Sequence, residues 1–250
     1  MKKEARVTEL IKRADAGDPE AMRAAAHRLL YGNMGKELSP VDAKRCGDWL
    51  TRLAESGDAD AMLDLGGMYL TGRGIGKDRE RALAWYEKAA ETGFPLAFNR
   101  LAQYWLYDED TEGLGYLPAT EDPERIRKAV GYFTQGAEKG EAGCMVELGI
   151  ALMTGECGER DPEAAFGWFR KAYEAEAAEN ADRAQAAYSL AKCFRGGEGT
   201  EKDLGVAKKY AEEAIRLERG EYDAGRQESR FFIERAEEEL RGIREDAKNG

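Results

Sequence analysis

The sequence is poor in proline, histidine and cysteine. Its 250 residues include six prolines, one histidine and four cysteines, against 29 glycines. So few prolines permit long helices, and so many glycines indicate frequent turns between them. With one histidine and no Cys-x-x-Cys pair, the sequence offers little for a zinc site, and we expect neither a metal nor another cofactor. The cysteines are not closely spaced and are expected to be reduced structural thiols; they are Cys46, Cys144, Cys157 and Cys193.

The sequence also lacks long apolar runs and positive net charge. No segment approaches the roughly 18 apolar residues of a membrane-spanning helix, and the basic amino terminus is not followed by the apolar stretch of a signal peptide. We therefore expect a cytoplasmic protein without membrane insertion. Lys plus Arg number 38 and Asp plus Glu number 49, which gives a net charge of −11. Nucleic-acid binding requires a basic surface, so we expect no nucleic-acid partner.

A pattern of glycine, alanine, leucine and aromatic residues recurs along the chain. From Gly57 to Gly93 it takes 36 residues, and from Gly93 to Gly140 it takes 47, so that eleven are inserted. Self-similarity at such a period is typical of repeat proteins, in which each unit packs on its neighbours. We predict a single domain over residues 1–250, with five repeats between two capping helices. The N-terminal cap spans 1–16, the repeats span 17–56, 57–92, 93–139, 140–179 and 180–220, and the C-terminal cap spans 221–250.

Each repeat predicts a pair of helices. In the second repeat, Ala61, Leu65 and Tyr69 lie four residues apart and form one stripe of a first helix. Ala82 and Tyr86 belong to the facing stripe of a second helix. The second helix is expected to begin at an aspartate that caps its free N–H groups. The predicted capping residues are Asp42, Asp78, Asp161 and Asp203.

The repeat from Gly57 to Gly93 resembles the Sel1-like repeat, a relative of the tetratricopeptide repeat. It contains the spaced alanine, the Leu-Gly pair, the tyrosine, the Gly-x-Gly turn, the aspartate and the Trp-to-Ala-Ala segment of that family, and the resemblance covers about residues 17–220. The resemblance implies an all-α fold, a right-handed α–α superhelix (solenoid) of helix hairpins. It also implies a non-enzymatic adaptor that binds a protein or peptide. We expect a monomer or a weak oligomer.

Two alternative functions share this fold. One is an immunity or inhibitor protein that caps a specific toxin or effector. The other is a β-lactamase-like enzyme of the secreted subfamily whose repeats each carry a cysteine pair. Cys144 occupies the place of one such cysteine, but its expected partner position is Ala137, and Ala61 and Ala90 also replace cysteines. The sequence therefore disfavours the enzyme.

Three features of the sequence match catalytic motifs only weakly. The segment from Gly72 to Lys77 is rich in glycine but lacks the spacing of a phosphate-binding loop and the Ser or Thr after its lysine. Ser189 and Lys192 match Ser-x-x-Lys, but they lie within a predicted helix and lack the companion motifs of serine acylases. His27 has no nucleophile motif nearby. We expect no catalytic site.

The predicted binding site is a groove. By analogy with tetratricopeptide repeats, the first helix of each repeat lines a concave face, with exposed positions −5, −2, +2, +5 and +6 from the motif leucine. We expect an apolar centre with polar and basic ends, and Asn99 and Gln103 suit pairing with an extended peptide backbone. The predicted partner-binding residues are Arg23, His27, Tyr31, Leu63, Leu96, Asn99, Gln103, Tyr107, Val146, Ile150, Met153, Tyr188, Lys192 and Arg195.

The acidic insertion over residues 108–120 is the other departure from the repeat. Long loops in repeat proteins are often functional, so this segment is either a binding element at the edge of the groove or a passive surface loop. The sequence leaves both interpretations open.

Overall fold

The computed structural model describes residues 2–31, 39–107, 120–156, 158–226 and 229–249, and these residues form α-helices and no strands. The predicted all-α fold class is confirmed. No helix within these ranges is long and apolar enough to cross a membrane. The helices are α1 (Lys2–Asp15), α2 (Pro19–Tyr31), α3 (Pro40–Glu55), α4 (Ala59–Thr71), α5 (Arg79–Glu91), α6 (Pro95–Leu106), α7 (Pro123–Glu138), α8 (Ala142–Thr154), α9 (Pro162–Glu174), α10 (Asn180–Gly196), α11 (Leu204–Asp223) and α12 (Ser229–Asn249).

Aspartate side chains begin the second helix of most hairpins, as predicted. Asp78, Asp161 and Asp203 precede α5, α9 and α11, and each carboxylate accepts a 2.9 Å hydrogen bond from the backbone N–H three residues later. The predicted capping by Asp42 is wrong. The Ser39 hydroxyl is the cap of α3 and accepts a 3.1 Å hydrogen bond from the Asp42 N–H. The helix begins earlier because Pro40 suits the first helical position.

Paired glycines form the turn inside the hairpins. Gly72 and Gly197 end α4 and α10 in the left-handed conformation, with φ of 71° and 73°, which glycine adopts without strain. A Cβ on Gly74, the second glycine of its pair, would clash with Ala43 at the start of α3. The turn therefore packs closely on the preceding hairpin.

The chain forms two compact units, residues 1–101 and 102–250, with the boundary inside α6. In unit 1 (residues 1–101), successive helices from α1 to α5 pack against each other. In unit 2 (residues 102–250), the same is true from α7 to α12. Each unit is thus a row of helix hairpins, and the single domain predicted over residues 1–250 stays a prediction.

In two hairpins, α4–α5 and α8–α9, an aromatic ring of the second helix faces a glycine of the first. A Cβ added to Gly66 would lie 2.5 Å from Cε1 of Tyr86, and one added to Gly149 would lie 2.5 Å from Cε1 of Phe169. The motif residue Leu65, next to Gly66, is only 1% exposed. Because glycine has no side chain, its position on the first helix leaves space for a large side chain on the second.

Helix α12 closes the C-terminal end of unit 2. It packs on α11 and α10, and two ion pairs fix it to α10. The Arg195 guanidinium lies 2.7 Å from Asp246 and 3.3 Å from Glu239. The predicted C-terminal cap thus consists of the end of α11 and of α12, which begins at Ser229.

Candidate functional site

The predicted apolar centre of the groove is largely core. Leu63 is 7% exposed and Val146 is 2% exposed, so their predicted exposure is wrong. Ile150 and Met153 are partly buried and pack against a core cluster that includes Phe169. The alanines and glycines of the repeat allow close helix packing, which encloses side chains that a wider spacing would leave open.

The predicted polar residues divide into accessible and engaged side chains. Arg23, His27, Tyr31 and Lys192 are exposed. The prediction of Arg195 as a free basic end of the groove is wrong, because its guanidinium pairs with α12. Asn99 is buried. Four other predicted residues are partly buried: Leu96 in unit 1, and Gln103, Tyr107 and Tyr188 in unit 2.

In unit 1, the first helices of the hairpins carry a small polar cluster. The Tyr31 hydroxyl on α2 donates a 2.6 Å hydrogen bond to the Asp64 carboxylate on α4, and the ring centroids of Tyr31 and His27 are 5.0 Å apart. Burial raises the pKa of Asp64, and the hydrogen bond from Tyr31 offsets part of the rise. Arg23 forms an ion pair with Asp58 beside this cluster. The two first helices are therefore joined by polar contacts on an accessible face.

In unit 2, the first helices border a cleft of about 90 Å³. It lies among α8, α10, the end of α11 and the start of α12. Three carboxylates from three different helices face it, those of Glu147, Asp182 and Glu218. We call this the acidic cleft; its lining residues are Gly143, Val146, Glu147, Ala181, Asp182, Gln185, Glu218, Arg226, Ser229 and Phe232.

The acidic cleft contains more negative charge than the fold compensates. Burial, followed by repulsion from Glu156 and Asp182, raises the pKa of Glu147 to about 7. Burial and repulsion from Glu141 raise the pKa of Asp182 to about 6, against a lowering effect of Arg226. Near neutral pH these carboxylates are held at an electrostatic cost, which a cation in the cleft would relieve.

Two buried polar side chains line the cleft, and one of them lacks a hydrogen-bond partner within the described part of the chain. The Gln185 side chain, on a residue that is 8% exposed, is one of the two. The other is Ser229, which is 1% exposed and whose hydroxyl has no partner of ordinary hydrogen-bond geometry in the described ranges. Burial raises the pKa of Glu218, and the nearby Ser229 hydroxyl offsets part of the rise. Buried polar groups without partners are rare in folded proteins, so the cleft is suited to a polar ligand.

One acidic residue in each unit occupies the same position of the repeat. Asp64 and Glu147 each precede the motif leucine of their repeat. Each has a tyrosine neighbour from the preceding repeat, six residues after that repeat's motif position. Tyr31 is the neighbour of Asp64, and Tyr107 is the neighbour of Glu147. Burial, followed by the charge of Glu147, raises the pKa of Tyr107. Position −1 was missing from the predicted groove. One signal existed, because Glu147 is the only charged residue of α8.

Three of the four cysteines lie within the described residues. Cys46, Cys144 and Cys193 are buried free thiols, and burial raises the pKa of Cys46 and of Cys193 to about 12. No group of three His, Cys, Asp or Glu side chains in the described ranges could hold a metal ion. Cys157 and residues 108–119 of the insertion lie outside the described residues.

Hairpins with recurring caps, turn glycines and core leucines define an α-helical repeat protein. The sequence pattern of the Sel1 repeat matches residues 19–58, 59–94, 99–141, 142–176 and 184–218. The chain belongs to the Sel1 repeat family.

Curated relatives are considerably longer than this chain. A chitin synthase regulator from Saccharomyces cerevisiae is 28% identical over 209 residues, which are 80% of this chain and 28% of that protein. An ERAD-associated E3 ubiquitin-protein ligase component from Arabidopsis thaliana is 30% identical over 142 residues, or 55% of this chain and 20% of that protein. This chain therefore spans less than a third of either relative.

Solved structures share the fold. A Sel1 repeat protein from Oxalobacter formigenes has a TM-score of 0.65 at 24% identity, over 91% of this chain and 58% of that one. A protective antigen of uropathogenic Escherichia coli has a TM-score of 0.61 at 24% identity, over 96% and 50%. An immunity protein from Pseudomonas aeruginosa has a TM-score of 0.51 at 18% identity, over 91% and 82%. At these identities the likeness shows the fold alone.

Proposed function

We propose that this chain is a non-enzymatic adaptor that binds a protein or peptide segment along the first helices of its hairpins. The observation that carries the proposal is the acidic cleft, where two buried polar groups and three carboxylates face solvent-accessible space. The accessible Tyr31 and His27 on α2 supply a second polar surface in unit 1. Membership of the Sel1 repeat family supports this proposal, because its curated relatives include a regulator and a ligase component. The cytoplasmic location predicted from the sequence is part of it.

The test is binding with matched variants on the two helices of a hairpin. A partner is first captured by the full chain, identified by mass spectrometry, and then purified for calorimetry. We expect Tyr31→Ala or Lys192→Ala, on first helices, to weaken binding. Lys88→Ala and Lys171→Ala are matched controls, because each ammonium, like that of Lys192, lies over a ring of its own helix. They should leave binding unchanged, since they lie on second helices, outside the proposed surface. Equal effects of both sets, or no partner that binds when purified, would contradict the proposal.

A dedicated immunity protein is the second candidate. The observation that favours it is the fold that 91% of this chain shares with the Pseudomonas immunity protein. An immunity protein binds one partner tightly, and an adaptor binds several partners more weakly. Calorimetry of the captured proteins separates the two, since a single 1:1 complex of nanomolar affinity would favour the immunity protein.

The remaining alternative is a β-lactamase-like enzyme. The position opposite Cys144 is Ala137, so the cysteine pair of that subfamily is absent here. We expect no hydrolysis of nitrocefin by the purified chain above the buffer rate. Turnover that follows the protein through purification would overturn the non-enzymatic assignment.

A further inference from the structure

We propose that the acidic cleft binds the guanidinium group of an arginine side chain presented by the partner. The inference rests on the proposed function and deepens it, because it names the chemistry that the partner must present to unit 2.

The size and shape of the cleft fit an organic cation better than a metal ion. One water molecule needs about 10–15 Å³ of such space, and the cleft offers about 90 Å³. Its carboxylates belong to α8, α10 and α11, and no three acidic side chains in the described ranges converge on a metal position. Separated acceptors suit a cation whose donors are spread over several atoms.

The polar acceptors of the cleft match the donor pattern of arginine. A guanidinium has five N–H donors in one plane and no acceptor. The Gln185 side-chain carbonyl and the Ser229 hydroxyl can each accept a hydrogen bond in addition to those accepted by the carboxylates. Phe232 contributes an aromatic ring to the same lining, and planar guanidinium groups stack on such rings. A lysine ammonium has three donors around one atom, so it reaches acceptors on separate helices less effectively than a guanidinium does.

The described lining of the cleft has more carboxylates than basic groups. Among the described residues of the lining Arg226 alone is basic, and its guanidinium lies 3.5 Å from the Glu221 carboxylate, which is outside the cleft. Arg226 also lowers the pKa of Asp182 and of Glu218, whereas the charged groups that shift the pKa of Glu147 are all acidic. Three carboxylates of the lining are thus set against one guanidinium. Further acidic groups bear on them from neighbouring positions and add to the negative potential; these are Glu141, Glu156 and Glu179.

Small arginine analogues test the cleft without knowledge of the partner. The full chain, labelled with ¹⁵N, is titrated with N-acetyl-arginine amide and, as a neutral control of nearly the same shape, with N-acetyl-citrulline amide. We expect saturable shifts of backbone signals around Glu147, Asp182 and Gln185 with the arginine compound alone. The same shifts with citrulline, or none with arginine, would overturn the proposal. Equal affinity for N-acetyl-lysine amide would overturn the assignment to arginine.

Variants separate specific recognition from general attraction to an acidic protein. The Glu147→Gln/Asp182→Asn variant should bind the arginine compound at least about tenfold more weakly, because two charge-assisted hydrogen bonds are lost. Both substitutions remove carboxylates that burial disfavours, so the variant should fold. Glu163→Gln/Glu245→Gln changes the net charge equally at exposed sites and should bind as the wild type does. Equal weakening by both variants would contradict a specific site.

The pH dependence supplies an independent readout. The cleft loses its charge as Glu147 and Asp182 are protonated, with pKa values of about 7 and 6. Affinity for the arginine compound should therefore rise from about pH 5 to about pH 8. A flat profile would contradict the proposal. If a purified partner binds but the cleft variant binds it as well as the wild type, the arginine site fails while the adaptor function stands.

Discussion

Replacing Glu147 by glutamine should stabilise the protein in a pH-dependent manner. The Glu147 carboxyl lies on α8 at the acidic cleft, where burial and repulsion from Glu156 and Asp182 raise its pKa to about 7 from an ordinary 4.5. Its proton is therefore bound more tightly in the folded protein than in the unfolded chain. Between these pKa values the folded state binds more protons, so stability falls as pH rises.

The size of the effect follows from the two pKa values. Well above pH 7, the ionised Glu147 destabilises the folded state by about 3 kcal/mol relative to a carboxyl that keeps its ordinary pKa. Below about pH 4.5 this cost vanishes, because the carboxyl is protonated in both states. The stability gained by Glu147→Gln should therefore grow by about 2.5 kcal/mol between about pH 5 and pH 8, and change little at higher pH.

Urea denaturation followed by circular dichroism measures this difference. Wild type and Glu147→Gln are compared at each pH, so that the contributions of other titrating groups cancel. The control is Glu163→Gln, an exposed residue of α9, which should change the free energy of unfolding by less than about 0.5 kcal/mol. The reasoning is refuted if the gain from Glu147→Gln is the same at both ends of the pH range, or if it shrinks as pH rises.

Four further predictions concern the stack and the thiols. Leu65→Ala should lower the free energy of unfolding by about 2–5 kcal/mol, since the side chain is 1% exposed; urea denaturation measures this. Gly66→Ala should lower the free energy of unfolding by about 1–3 kcal/mol, because the new Cβ would meet the Tyr86 ring. The control Gly131→Ala in α7, with open space around it, should raise the free energy of unfolding by about 0.5–1 kcal/mol. Similar values for both variants would contradict the glycine–aromatic packing. Arg195→Gln should increase hydrogen exchange in α12, and unchanged protection would mean that its ion pairs do not hold that helix. Neither dithiothreitol nor EDTA should lower the melting temperature, and a clear downward shift with either would reveal a disulfide or a metal.

The sequence by itself determined the local structure and the repeat. The spacing of Leu65 and its counterparts, the capping aspartates and the paired glycines are signals within one helix or one turn. Helix formation and capping depend on residues only a few positions apart, so the five repeats and most of their helix boundaries follow from the chain alone. Asp42 was misassigned because Ser39 and Pro40 supplied a competing start signal three residues earlier.

Only the tertiary structure decided which side chains remain accessible on the first helices. Periodicity identifies one face of a helix, but the distance to the next hairpin determines whether Leu63 or Val146 on that face is open or enclosed. Arg195 is engaged by Asp246, 51 residues further along the chain. The acidic cleft likewise depends on Glu147 and Glu218, which no short-range pattern connects. Burial and the approach of distant charges set the pKa values of this cleft, and both arise only when separate hairpins pack together.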